Sequence, residues 1–130
     1  VCREALQKGI ECVKPGGRLG DIDATIQQLA EGHGYSVVRE FCGHGIGNNF
    51  HEEPQILHYG NFGEGLEIKK GMVFTIEPMV NLGKPDLKIL SDKWTAVTED
   101  GQLSAQFEHT LCVTETGVDV MTRLEGRTKF

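Results

Sequence analysis

The stretch Cys42 to Pro54, CGHGIGNNFHEEP, places two imidazoles, His44 and His51, seven positions apart in glycine-flanked sequence. Two later apolar segments each carry one glutamate: Glu77 in Gly71–Val80 (GMVFTIEPMV) and Glu108 in Ala105–Val113 (AQFEHTLCV). A carboxylate buried alone in such sequence is costly unless it is paired or holds a metal. The plainer alternative is that these strand faces are wet, as on many antiparallel sheets. Taken together, His44, Glu77 and Glu108 form a hard, oxygen-rich donor set. It suits manganese, iron(II), cobalt or zinc better than copper. The separations, 33 and 31 residues, are too long for a local clip, so only the tertiary fold could assemble the set.

His51 lies beyond two asparagines, in an expected turn just before EEP. A neutral imidazole beside a metal could hydrogen-bond a substrate amide or a developing oxyanion. The plainer reading is an exposed loop histidine, and His33 and His58 are read that way outright. His109 falls on the apolar face of its strand and reads as packed or supporting, not as a ligand. No G-x-S-x-G, phosphate loop or H-E-x-x-H occurs, which leaves serine-nucleophile and dinucleotide readings without support.

Which elements would position these residues? Val1, Ala5, Leu6 and Ile10 recur at helical spacing, predicting a helix to about Val13. Lys14–Asp21 (KPGGRLGD) stops it. A second helix is expected over Asp21 to about Glu31, capped by Asp21. Strands are expected over Tyr35–Phe41, Gly71–Val80, Lys93–Thr98, Ala105–Val113 and Val118–Thr122, with residues 55–70 irregular. Strand alternation puts Val73, Thr75 and Glu77 on one face and Gln106, Glu108, Thr110 and Cys112 on one face of the other. The resulting class is α+β: two helices packed on a mainly antiparallel sheet.

With 130 residues the chain is long enough for one core. Its net charge of −6 argues against nucleic acid. No run approaches the about 18 apolar residues of a membrane span, and no secretion signal opens this segment. The four cysteines include no C-x-x-C pair and read as thiols of a reducing compartment, placing the protein in the cytoplasm. The chain begins with Val1 inside a helical pattern, as if cut from something longer.

CGHGIGNNFHEEP, GMVFTIEPMV and SAQFEHTLCV, in this order and at these separations, resemble the C-terminal half of the bacterial type I methionine aminopeptidases, in the creatinase-like, pita-bread family. VKPGGRLGDIDATIQQLAEGHGYSVVREF resembles the segment leading into the histidine motif, so the similarity spans nearly the whole chain. The resemblance implies half of a pita-bread fold, with residues 1–130 a single partial domain. It implies removal of the initiator methionine from nascent polypeptides by metal-activated water attack on the first peptide bond. His44, Glu77 and Glu108 would be metal ligands, Glu108 bridging two divalent ions (cobalt, manganese, iron or zinc) and Glu77 doubling as proton shuttle. His51 would contact the scissile amide. Phe50 and Trp94 would line the methionine pocket, core packing being the alternative for both. The glycines around His44 would let the backbone pass close to substrate.

The family pattern has five ligands, and two upstream aspartates have no match here. The segment alone would hold one ion or none and would need the missing N-terminal half as its partner. A prolidase-like hydrolase and a non-catalytic binding module of the same fold are the alternatives.

Overall fold

The computed structural model describes residues 1–124. Helix α1 spans Cys2–Glu11 and α2 spans Leu19–Gly32. The second helix starts two residues earlier than expected. Asp21 is not its cap: it sits in the first turn, where its carboxylate accepts the Arg18 N–H at 3.0 Å. The same carboxylate accepts Gly63 N–H at 2.8 Å, tying the irregular loop to the helix start.

The strands are β1 (Ser36–Val37), β2 (Gly43–Gly45), β3 (Glu52–Ile56), β4 (Val73–Ile76), β5 (Met79–Asn81), β6 (Leu87–Ile89), β7 (Ala96–Thr98), β8 (Ser104–Gln106), β9 (His109–Val113) and β10 (Val118–Val120). Three antiparallel sheets result, with orders β10-β9-β4-β2-β3, β1-β5-β8 and β6-β7. The helices cover one face of the five-stranded sheet. Leu6, Ile10, Ile22 and Ile26 meet Phe74, Ile76, Leu111 and Val113 in one buried cluster.

The two long strands expected at 71–80 and 105–113 are each broken. β4 pairs with β9 as far as Ile76↔His109; the ladder resumes in the other sheet at Met79↔Gln106. Glu77–Pro78 and Phe107–Glu108 fall in the gap between the two ladders. Pro78 offers no N–H, so an unbroken ladder could not run through it. The buried Cys2 Sγ lies 3.3 Å from Pro78 O and 3.2 Å from Ala105 O, bringing the start of α1 against both breaks. The strand at 35–41 shrinks to two residues, the one at 93–98 to β7 and the last to β10. The strands β3 and β6 were not expected, and β3 takes in residues 55 and 56 of the stretch read as irregular. These are short edge elements, in which few apolar side chains alternate.

Candidate metal centre

Strand β2 lies between β3 and β4, and glycines make that close placement possible. A Cβ on Gly43 would lie 2.4 Å from Thr75 O; one on Gly45 would lie 2.1 Å from Glu53 O. These glycines therefore let neighbouring strands approach closely. With Gly45 opposite Phe74, alternation turns His44 to the face away from the helices. Thr75, Glu77 and Glu108 share that face; the periodicity had paired Thr75 with Glu77, and the β4–β9 register brings Glu108 to the same side.

One hydroxyl couples two of these residues. Thr75 Oγ1 accepts the His44 N–H at 3.0 Å and donates to Glu77 Oε1 at 2.8 Å. His44 Nδ1 lies 3.0 Å from Gly45 O. A carbonyl can only accept, so Nδ1 carries the proton and Nε2 keeps its lone pair. That Nε2 is 3.4 Å from Glu77 Oε1. One ligand atom each from His44, Glu77 and Glu108 falls within 4.8 Å of the others, and among the described residues no further His, Cys, Asp or Glu joins them. His44 is buried, Glu77 half-buried and Glu108 exposed.

Burial raises the Glu77 pKa above its ordinary value; the Thr75 hydroxyl opposes this, the Glu108 charge adds to it, and His44 opposes it. Two carboxylates pushed together on a partly dry face are what a divalent cation stabilises. The donor set thus fits a hard metal ion.

The His51 ring centroid is 4.1 Å from that of His44, and the Phe50 ring lies edge-on to His51 at 4.6 Å. His51 is exposed and Phe50 is 71% exposed. The structure therefore groups both with His44. Trp94 is not in this group; it stands 88% exposed on the β6–β7 turn. His109 packs at the end of the β4–β9 ladder with Nδ1 2.7 Å from Thr122 Oγ1. His33 is an exposed residue at the end of α2.

His58 overturns its reading as an exposed loop histidine. It is 1% exposed, and its Nε2 lies 3.1 Å from the Glu77 N–H. Its own N–H donates to Asp23 Oδ1 at 2.7 Å. The apolar Ile56, Leu57 and Tyr59 beside His58 were one signal of its burial, and Asp23 left another. It stands three and seven residues before Ile26 and Ala30, on the buried stripe of α2.

Burial pushes the Asp23 carboxyl up to about 6, against hydrogen bonds from the His58 and Leu57 N–H groups. Burial pushes the His58 imidazole down to about 3. Between pH 4 and 6 the folded chain keeps a proton on Asp23 and none on His58; the unfolded chain does the reverse. The proton counts are equal, so the pair adds no slope there. In Asp23→Asn the His58 effect stands alone. Its stability is full above about pH 6.5 and falls with acid by about 1.4 kcal/mol per pH unit. Urea unfolding at pH 4, 5, 6 and 7 measures this; equal slopes for both proteins would contradict it.

The matching family model, metallopeptidase family M24, covers residues 1–115, and the chain belongs to that family. Within it, the chain is 59% identical over 122 residues to methionine aminopeptidase A of Synechocystis sp., covering 94% of this chain and 48% of that protein. The crystal structure of methionine aminopeptidase from Thermotoga maritima matches 95% of this chain and 50% of its own, with a TM-score of 0.93 at 47% identity. The prolidase from Pyrococcus furiosus matches with a TM-score of 0.68 at 28% identity, covering 94% of this chain and 30% of its own. The fold is half of a pita-bread fold, and the chain spans about half the length of the curated relatives it matches.

Proposed function

We propose that this chain is the C-terminal part of a metal-dependent aminopeptidase that removes the initiator methionine from nascent proteins in the cytoplasm. One observation carries the reading: His44, Glu77 and Glu108 converge within 4.8 Å on one sheet face. The nearness to methionine aminopeptidases over prolidases supports the substrate class.

His44 Nε2 and the two carboxylates would hold the metal, with Glu108, the exposed member, bridging a second ion. When bound, divalent ions acidify a water and polarise a peptide carbonyl. Manganese, iron, cobalt and zinc all suit these donors. Glu77 moves the proton. The Thr75 hydroxyl and the Gln106 amide hold its carboxylate in place for that transfer. His51 orients the scissile amide and steadies charge on its oxygen. The exposed rings of Phe50 and Trp94 would contact the methionine side chain. Residues 1–130 act as one partial domain, and the rest of the ligand set comes from an N-terminal half that is its partner.

Manganese-dependent release of methionine from Met-Ala-Ser tests this, measured on the chain alone and with the aligned N-terminal half of a relative. Release is expected with that half present, and its disappearance in His44→Ala is the control. A folded, metal-loaded assembly that cleaves X-Pro dipeptides and leaves Met-Ala-Ser intact would overturn the substrate assignment.

A further inference from the structure

We infer that His58 is a positioning residue for the metal centre, holding the main chain of Glu77 so that its carboxylate points at His44. This rests on the reading of His44, Glu77 and Glu108 as ligands.

Glu77 sits in the gap between two ladders. The β4–β9 pairing ends at Ile76↔His109 and the next begins at Met79↔Gln106, so no strand residue is paired with Glu77. Its N–H is taken instead by His58 Nε2 at 3.1 Å. Accepting that bond requires a lone pair on Nε2, so the ring proton is on Nδ1. The ring cannot drift, because His58 is 1% exposed.

The backbone of His58 is constrained as well. Its φ is +68°, in the left-handed region that side chains other than glycine rarely enter. Such conformations persist where surrounding contacts over-determine them. Here the contact is Asp23, whose Oδ1 accepts the His58 N–H at 2.7 Å. Asp23 is 6% exposed on α2. A connected path thus runs from the helix layer through Asp23 and His58 to the main chain of a ligand on the opposite sheet face. Thr75 and Gln106 then bond the Glu77 carboxylate oxygens at 2.8 and 3.3 Å. Main chain and side chain of one residue are held by separate groups.

The test is Co2+ affinity of the 130-residue chain, read from visible d–d absorption, with the melting temperature of the metal-free protein measured alongside. His58→Leu keeps bulk and removes the acceptor. Its Co2+ dissociation constant is expected to rise about 10- to 100-fold, the usual effect of losing a group that orients a ligand. His58→Gln places an amide oxygen near the Nε2 position and is expected to restore most of the affinity. Should the leucine variant fail to fold, His58→Asn, whose amide is too short to reach Glu77, replaces it with the same expectation.

A fold-supporting role alone would lower the melting temperature and leave the affinity of the folded variants equal to wild type. That result overturns the inference. Equal weakening by Gln and Leu overturns it too. Failure of the wild-type chain to bind Co2+, both alone and with the aligned N-terminal half of a relative, would instead remove the ligand reading itself, and this inference with it.

Discussion

Glu77→Gln is expected to lower divalent-metal affinity by at least about 100-fold, exceeding the loss usual for an orienting group, and to make the metal-free chain more stable. The two effects have opposite signs for one reason. Glu77 is half-buried beside Glu108, and both burial and that neighbour raise its pKa. A carboxyl whose folded pKa is raised contributes stability below its unfolded pKa and loses it as pH rises through the folded value. At neutral pH the metal-free chain therefore carries an unfavourable charge. Glutamine removes that charge and still accepts the Thr75 hydroxyl, so the fold gains what the metal loses. Calorimetric titration with Mn2+ or Co2+ gives the first effect. Melting curves in chelator, at pH 5 and pH 8, give the second. The gain should be larger at pH 8. A metal-free variant less stable than wild type at pH 8 would show that Glu77 serves the fold and not the ion.

Gly45→Ala is expected to destabilise the chain by about 3 kcal/mol, at the upper end for overpacking, and to weaken metal binding with it. The added methyl would lie 2.1 Å from Glu53 O, 2.7 Å from Glu53 C and 2.9 Å from Glu52 O. All three are backbone atoms, so no side chain can swing away; β2 and β3 must separate. With β4 on its other side, a shift of β2 displaces His44, the neighbouring residue, relative to Thr75 and Glu77, which it meets at 3.0 and 3.4 Å. Gly34→Ala is the control for glycine content: it has open space around the new methyl, though its φ of +77° also disfavours a side chain. Urea unfolding compares the two. Metal affinity unchanged in a folded Gly45→Ala protein would mean that β2 shifts without taking His44 along.

Several parts of the site were legible in the residues. The alternation of Val73, Thr75 and Glu77 correctly placed the carboxylate on the face away from Phe74 and Ile76, because side chains on a strand alternate whatever lies around them. The two helices were legible from their apolar spacing. The break after Ile76 was less so: GMVFTIEPMV has strand-forming residues on both sides of Pro78, and only the missing N–H hinted at the interruption. His58 was misread because it opens a stretch with glycines at 60, 63 and 65, which reads as an exposed loop, although Ile56, Leu57 and Tyr59 beside it are apolar. Its burial comes from α2, a distant element.

What the sequence alone determined is the candidate donors, their order and the face of its own strand on which Glu77 and Glu108 each fall, since period and residue chemistry are local properties. The two helices and the α+β class follow from the same local rules. What only the tertiary structure decided is proximity. Donors separated by 33 and 31 residues meet within 4.8 Å because β2, β4 and β9 lie side by side, and that adjacency depends on long-range pairing. The tertiary structure also decided how Glu77 is held. An N–H left without a strand partner at a ladder break must find an acceptor when water is excluded, and the fold supplies it from His58, 19 residues back.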